Sequence, residues 1–196
     1  YIMGFAGGRP LFKVEDTLEW VPEHQRTTLA YSFIDTLADM HVLDPDAIGL
    51  TSLGKKEDYI GRQIKAWYRS WVASVDYAEL DDPRAHEFKD YFLENQPAQV
   101  TASVVHGDYY LHNCLFSSDS KVSAVLDWEL ATLGDPLADL GYTLRAWPEE
   151  ENDPYLEPTA PTAVPGLPLR AELAQRYAER TGFPVELLDY YVGFNH

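Results

Sequence analysis

The sequence predicts an α+β protein that is mainly helical and contains one small β-hairpin. Apolar residues recur at helical spacing over most of the chain. Two short runs in the middle, 100–105 and 122–126, are instead rich in β-branched residues, and a polar SSDSK turn precedes the second. With 196 residues, 45% of them hydrophobic, the chain can form one domain with a buried core.

The first 22 residues are predicted to be a hinge strand and linker, and 23–196 a helical lobe. Residues 1–13 have the pattern of a short strand, a Gly-Gly turn at positions 7 and 8, and a second short strand. Tyr1 opens a strand-like segment, and the last apolar helical pattern still continues at His196. We therefore expect the chain to be part of a longer one.

Three helices are predicted next, over about 23–42, 57–76 and 83–95. His41 lies beside the apolar face of the first helix and is expected to be a core histidine with satisfied hydrogen bonds. Trp67 and Trp71 lie on the apolar side of the second helix and are predicted to be buried.

The second helix also carries a basic stripe almost opposite its apolar side, formed by Arg62, Lys65 and Arg69. Two interpretations remain open: a solvated helix face, or a contact surface for an anionic substrate such as a coenzyme A ester. The direction of the stripe, toward the cleft over Asp108 or toward solvent, distinguishes them.

The second half predicts short strands over 100–105, 115–116 and 122–126, then a helix over 136–147. Asp135 and Pro136 are the residue types favoured at a helix N-cap and at the first helical position. Six prolines and five acidic residues predict a loop over 148–168. Two helices, about 168–181 and 184–196, follow.

Composition excludes several classes of function. A formal net charge of −17 disfavours a nucleic-acid partner, because such a chain repels phosphate groups. The sequence contains neither a membrane-spanning apolar run nor a signal-peptide pattern, so we expect a cytoplasmic protein without a membrane partner. The single cysteine, Cys114, excludes an internal disulfide. The oligomeric state stays open.

The stretch VVHGDYYLHNCLF contains His106, Asp108 and Asn113 in the spacing HxDxxxxN. If the following strands form a hairpin, Asn113 before the first strand and Asp127 after the second become neighbours. Amide and carboxylate oxygens suit Mg²⁺, and Asp108 could accept the proton of a substrate hydroxyl. These parts predict phosphoryl transfer. A zinc site of His106, Asp108 and His112 lacks a fourth ligand and is disfavoured.

Three motifs in order, HGDYYLHN, VLDWE and GDPLADLGY, resemble the C-terminal lobe of the aminoglycoside phosphotransferase and choline kinase family, whose fold is similar to that of protein kinases. The upstream text IGLTSLGKKEDYIGRQIKAWYRSW most resembles phosphotransferase-like domains fused to, or encoded near, acyl-CoA dehydrogenases. The resemblance implies a kinase-like C-terminal lobe whose hairpin carries the catalytic and metal-binding loops, with the N-terminal lobe missing.

The resemblance also implies roles for individual residues. Asp108 is the expected catalytic base, with Asn113 and Asp127 holding Mg²⁺ under ATP. The hinge that contacts adenine would consist of Met3, Gly4 and Ala6. Structural support of the catalytic and metal-binding loops would come from His106, Asp135 and Asp139. No role is assigned to Tyr110 or His112. As it stands, the chain is expected to contain half of an ATP site.

The predicted function is therefore ATP- and Mg²⁺-dependent phosphorylation of a hydroxyl on a small molecule. A hydroxyacyl-CoA or other anionic substrate would suit Arg62, Lys65 and Arg69, whereas an aminoglycoside or choline-like cation would suit the overall negative charge. A non-catalytic binding module with the same fold is the alternative from another class. The intact Asp108, Asn113 and Asp127 argue against it.

Overall fold

The chain folds into seven α-helices and two small sheets in the residues that the computed structural model describes, 4–78, 81–151 and 153–195. The predicted α+β class is confirmed. The helices are α1 (Val14–Trp20), α2 (Arg26–His41), α3 (Tyr59–Ala78), α4 (Pro83–Glu94), α5 (Pro136–Leu144), α6 (Arg170–Thr181) and α7 (Leu188–Phe194). Short 3₁₀ turns occupy Glu23–Gln25, Leu111–Asn113 and Trp128–Leu130.

Each sheet is one antiparallel pair of strands. The predicted hairpin is present as β2 (Cys114–Phe116) and β3 (Val122–Val125), with Cys114 opposite Val125. The other pair joins β1 (Ser103–Val105) to β4 (Thr132–Gly134). Strand β4 was not predicted, because Thr-Leu-Gly is too short to show a period and its partner lies far away in the chain. The second sheet places the start of α5 beside β1.

Helix α2 forms the centre of the apolar core. Its face contributes a row of fully buried side chains at helical spacing, namely Leu29, Ala30, Phe33, Ile34, Leu37 and Ala38. The ring of Phe33 stacks on Tyr109 at 4.7 Å and on Trp147 at 5.7 Å between centroids. Tyr109 belongs to the predicted catalytic loop, 106–110, which is thereby packed directly onto the core.

Helix α6 packs along α2, and two ion pairs join their outer edges. Arg176 meets Asp35 at 2.7 Å, and Arg180 meets Asp39 at 2.6 Å. Helix α7 packs against α5. The segment 148–168 between α5 and α6 contains neither helix nor strand among its described residues, as predicted.

The N-terminal segment differs from its prediction. Residues 4–13 form no strand-turn-strand unit; their one ladder contact is a bridge between Arg9 and Phe116, and residues 1–3 lie outside the described part. Gly8 has φ +141°, and a Cβ there would lie 2.9 Å from the Phe116 carbonyl oxygen. The glycine is therefore needed for close approach to the hairpin rather than for a turn. Helix α1 lies within the predicted linker.

The prediction that Trp67 is buried is wrong. Trp67 is 50% exposed, while Trp71 is half-buried. Trp67 stacks on Phe194 at 4.8 Å and lines a groove of about 860 Å³ between α3, α4 and α7. Helical spacing identifies the apolar side of a helix, but how deeply that side is covered depends on the neighbouring helices.

Among the described residues, no helix combines the length and the apolar character needed to cross a bilayer.

Candidate active site

The HGDYY loop connects β1 to the 3₁₀ turn that precedes β2. The loop turns sharply at Gly107, where φ is +84° and a Cβ would lie 3.0 Å from atoms of Leu130. A side chain there would combine backbone strain with a close contact, so the position requires glycine. This turn directs Asp108 out of the core.

Asp139, on the first turn of α5, supports that loop through its backbone. Its Oδ2 accepts a hydrogen bond from His106 N at 2.5 Å and its Oδ1 accepts one from Gly107 N at 2.9 Å. The side chain is buried. Two donors on adjacent residues of the loop are thereby satisfied by a carboxylate from another element, which is the contact expected of a supporting residue.

His41 extends this network into the core. Its Nδ1 lies 2.7 Å from the Tyr177 hydroxyl and its Nε2 lies 3.4 Å from Asp139 Oδ2. The His41 carbonyl accepts a hydrogen bond from Ser103 Oγ at 2.6 Å. His41 is buried, so the prediction of a satisfied core histidine is confirmed.

His106 is fully buried and both its ring nitrogens have partners. The Asp108 N–H donates to Nδ1 at 3.2 Å, and Nε2 lies 2.8 Å from the Leu126 carbonyl. Because Nδ1 accepts, Nε2 carries the proton and donates to Leu126. His106 therefore links the catalytic loop to the end of the hairpin and has no lone pair left for a metal, which removes the zinc alternative.

Asp108 is held by both carboxylate oxygens. Tyr142 OH donates to Oδ1, and Asn113 Nδ2 donates to Oδ2 at 2.9 Å. His112 Nε2 lies 3.9 Å from Oδ2. The side chain keeps 27% of its surface exposed, so it is both oriented and accessible. Burial, followed by the hydrogen bond to Asp108, raises the pKa of Tyr142 to about 12, so its hydroxyl remains a donor at neutral pH.

Asn113 and Asp127 are brought together by the hairpin. Leu126 N donates to the Asn113 carbonyl at 2.8 Å, one residue before Asp127. Asn113 Nδ2 donates to both the backbone and the side chain of Asp108, which fixes the direction of the amide group. Among the described residues, Asn113 Oδ1 accepts no hydrogen bond. The Asp127 side chain is exposed and does not cap the 3₁₀ turn that follows it.

This donor set fits Mg²⁺, which prefers neutral and anionic oxygens and keeps several water ligands. Asp127 has φ +61°, a left-handed conformation that aspartate tolerates better than most residues. Within the described ranges no group of three His, Cys, Asp or Glu side chains is placed to hold a metal. Asn113 and Asp127 would supply only two protein ligands. The remaining coordination positions of a Mg²⁺ ion would be left for water and phosphate oxygens.

Asp135 begins α5 as predicted. Its Oδ1 accepts a hydrogen bond from Leu137 N at 3.1 Å, and its Oδ2 accepts one from Tyr191 OH at 2.9 Å. Burial raises the pKa of this carboxyl, and the two hydrogen bonds oppose that effect. Asp135 thus fixes the start of the helix that carries Asp139 and Tyr142.

The basic stripe is not joined to the catalytic loop. Arg62 donates to the Lys55 carbonyl at 2.8 Å, and Lys65 forms an exposed ion pair with Asp58 at 3.5 Å. In the part of the chain that the structure describes, the stripe's hydrogen bonds and ion pairs reach only the segment just before α3. Lys65 and Arg69 are exposed, whereas Arg62 is half-buried and its Nη1 has no hydrogen-bond partner among the described residues.

The chain meets the hairpin just after the predicted hinge residues. Gly4 is exposed and Ala6 is half-buried, and the Gly7 carbonyl accepts a hydrogen bond from Ser123 Oγ at 2.6 Å. Met3 lies outside the described residues. The segment is therefore anchored beside β3, close to the strand that leads to Asp127.

Sequence reasoning missed Tyr142 and Arg145, which both come from the end of α5. Tyr142 follows Asp139 by three residues, a spacing that places both on neighbouring parts of the helix surface. Once Asp139 is expected to face the catalytic loop, the same spacing could have identified Tyr142. Arg145 follows Tyr142 by the same interval.

A family model described as the phosphotransferase enzyme family matches residues 1–178. Acyl-CoA dehydrogenase family member 10 of Mus musculus is 30% identical and matches 100% of this chain, which spans 18% of that protein. The curated relatives matched over the whole chain are thus far longer than it. This match confirms the resemblance to domains associated with acyl-CoA dehydrogenases.

Solved structures agree on the fold. A candidate aminoglycoside phosphotransferase from Ralstonia eutropha JMP134 is 32% identical with a TM-score of 0.80, over 100% of this chain and 59% of that one. Choline kinase from Cryptosporidium parvum Iowa II is 14% identical with a TM-score of 0.68, over 98% of this chain and 60% of that one. The second likeness concerns the fold alone.

Proposed function

The chain belongs to the phosphotransferase enzyme family, and from this premise we propose that it transfers the γ-phosphoryl group of ATP to a hydroxyl group of a small molecule. The observation that carries the proposal is the fixed Asp108 carboxylate. Tyr142 and Asn113 each hold one of its oxygens, and Asn113 also lies beside the turn that presents Asp127.

In the proposed reaction, Asp108 orients the acceptor hydroxyl and takes its proton. The hydroxyl oxygen forms a bond to the γ-phosphorus while the bond from that phosphorus to the β–γ bridging oxygen breaks, and ADP leaves. Asp108 then releases the proton to solvent. Because the transition state of phosphoryl transfer is loose, orientation matters more than basicity, which suits a carboxylate held at both oxygens.

Asn113 and Asp127 are the residues proposed to hold Mg²⁺, which would neutralise charge on the phosphates. The main chain at Gly4 and Ala6, with Met3, is proposed to contact the adenine. His106, Asp135 and Asp139 act through the backbone and the helix start rather than on the reacting atoms, so they are positioning residues.

The test is Asp108→Ala in the full-length protein, assayed after a radiolabelled-ATP screen against pooled hydroxylated metabolites has found an acceptor. Turnover should fall by about 10²–10⁴-fold, the usual contribution of a positioned acid or base. Far-UV circular dichroism and nucleotide binding should be retained. Asp119→Ala, in the exposed turn of the same hairpin, is the matched control and should keep full activity.

Undiminished turnover in Asp108→Ala would contradict the assignment of the base. If no acceptor is phosphorylated and the wild-type protein still binds a metabolite, a non-catalytic binding module with this fold would be the better description.

A further inference from the structure

A cavity of about 430 Å³ lies next to side chains that surround the Asp108 carboxylate. Its lining comes from Phe12, from Tyr110 and His112 before β2, from the end of α5 and from the segment 155–161. Two of its lining residues touch Asp108 directly: Tyr142 donates a hydrogen bond to it, and His112 lies 3.9 Å from it. The volume is that of a small-metabolite site. Asp108 does not itself line the cavity, so an acceptor hydroxyl would approach its carboxylate at the end formed by Tyr142 and His112.

Arg145 provides the positive charge of this cavity. Its guanidinium stacks over the Tyr142 ring, 4.3 Å from the centroid, and one terminal nitrogen lies 3.5 Å from the Asn195 carbonyl. Its Nε is buried without a hydrogen-bond partner. Across the described ranges 4–78, 81–151 and 153–195, no carboxylate lies within 4.0 Å of Arg145.

The other arginines of the chain do not all pair with carboxylates. Four of them form ion pairs, namely Arg84, Arg170, Arg176 and Arg180. Like Arg145, the remaining four form no ion pair among the described residues, but of these five unpaired arginines only Arg145 lines the cavity. A planar guanidinium with free donors is suited to bind a carboxylate or phosphate of a ligand.

Other charged groups at the cavity leave room for this role. Glu157 lies in its lining and accepts hydrogen bonds from the backbone N and the hydroxyl of Thr159, the latter at 3.0 Å. These hydrogen bonds hold the Glu157 carboxylate toward its own loop. The aromatic rings of Tyr110 and Tyr142 also line the cavity, which suits the carbon skeleton of a small molecule.

We propose that this cavity binds the phosphoryl acceptor and that the acceptor is a small hydroxylated anion. Its carboxylate or phosphate pairs with Arg145, and its hydroxyl points to Asp108. The inference rests on the phosphoryl transfer proposed above and specifies its substrate class. It assigns recognition of the anion to Arg145 rather than to Arg62, Lys65 and Arg69, none of which lines the cavity.

The test measures binding, so that it does not depend on turnover. Four probes are titrated into the full-length protein by calorimetry: D-glycerate as a hydroxylated carboxylate, glycerol 3-phosphate as a hydroxylated phosphate, glycerol as a neutral molecule and choline as a cation. At least one anion should bind with a millimolar or lower Kd, whereas glycerol and choline should not. The preferred anion then distinguishes carboxylate from phosphate recognition.

Arg145→Gln should weaken anion binding by about tenfold or more, the loss of a charge-assisted pair. Arg145→Lys keeps the charge without the planar fork and should restore part of the affinity. Arg69→Gln removes one positive charge from the exposed face of α3 and should bind like wild type. Circular dichroism should show all three variants folded.

The inference is overturned if neither anion binds at about 10 mM, if choline binds more tightly than both anions, or if Arg145→Gln leaves anion affinity unchanged. Loss of binding in Arg145→Gln together with unchanged turnover in Asp108→Ala would instead keep the anion site and reject the catalytic proposal. Loss of turnover in Asp108→Ala, together with anion binding that does not change in Arg145→Gln, would keep the catalytic proposal and reject the anion site.

Discussion

Tyr142 and Asn113 determine where the Asp108 carboxylate points, because each donates a hydrogen bond to one of its oxygens. A half-exposed aspartate without such partners would sample several rotamers. The Asn113 amide is itself directed by its second hydrogen bond, to the Asp108 carbonyl at 2.9 Å. The orientation of the Asp108 carboxylate therefore depends on the side chains of Tyr142 and Asn113 together.

Replacing Tyr142 by phenylalanine removes one of these donors with little change in shape. We expect kcat to fall by about tenfold, the effect of one hydrogen bond of about 1.4 kcal/mol on the orientation of the base. The KM for ATP should stay unchanged, because Tyr142 faces the acceptor cavity. Steady-state kinetics of Tyr142→Phe measures both quantities.

Tyr77→Phe, on the exposed surface of α3, is the matched control, since Tyr77 is 95% exposed. An equal loss of kcat in the control, or a change confined to KM for ATP, would contradict the role of Tyr142 in positioning Asp108.

The sequence predicted that Asn113 and Asp127 would be neighbours, because a hairpin brings its two ends together. It did not identify Tyr142, which reaches Asp108 from a helix about thirty residues further along the chain, or Arg145, which lines the neighbouring cavity. Contacts within a hairpin follow from local pairing. Contacts from α5 depend on how that helix packs.

Helix α5 is the element that organises the loop. Asp135 caps its first turn, Asp139 holds the catalytic loop from the same turn, and Tyr142 follows one turn later. The helix starts immediately after β4, whose pairing with β1 sets its position next to the catalytic loop. The cap and the strand pairing together determine where α5 meets Asp108.

Asp135→Asn tests the cost of burying a charge at this helix start. Burial raises the pKa of Asp135, so the folded state holds the proton more tightly than the unfolded state. The carboxyl's contribution to stability is therefore fully present below about pH 3.9, the unfolded value, and is lost as pH rises through the raised folded value. Asparagine keeps the cap but does not titrate.

The free energy of unfolding of Asp135→Asn, relative to wild type, should therefore increase from about pH 4 to about pH 7 in urea titrations. Asp119→Asn should instead lose stability relative to wild type as pH rises from low values to about pH 4. A hydrogen bond from Ser117 lowers the pKa of Asp119, so the stability that its carboxylate contributes is lost as pH falls below the unfolded value of about 3.9. A relative stability of Asp135→Asn that decreases with pH would contradict the assignment.

At the scale of the whole molecule, α2 connects the parts. It is buried against the catalytic loop through Phe33 and Tyr109, and its outer edge meets α6 through Arg176 and Arg180. The hydroxyl of Tyr109 also donates to the Phe33 carbonyl at 2.9 Å. The side chains of the apolar contacts are fully buried, whereas those of the ion pairs with α6 are partly exposed.

This difference in burial predicts that the apolar contacts of α2 contribute more to the free energy of unfolding than its ion pairs with α6. Phe33→Ala should lower the free energy of unfolding by about 3–5 kcal/mol, the usual cost of removing a buried aromatic ring. Arg180→Met should lower it by about 1 kcal/mol or less, because an exposed ion pair gains little in water. Urea unfolding of both variants measures the two values, and a larger loss in Arg180→Met would contradict a core-dominated fold.

Local patterns in the sequence determined the element types, the hairpin, the cap at Asp135 and the set Asp108, Asn113 and Asp127. Each depends on residues close in the chain, where spacing alone limits the geometry. They did not determine the strand β4, the helix α1, the half-exposed position of Trp67, the contact of Tyr142 with Asp108 or the position of Arg145 in the neighbouring cavity. Those features depend on contacts between distant segments, and only the tertiary packing of α5, α7 and the segment 155–161 decided them.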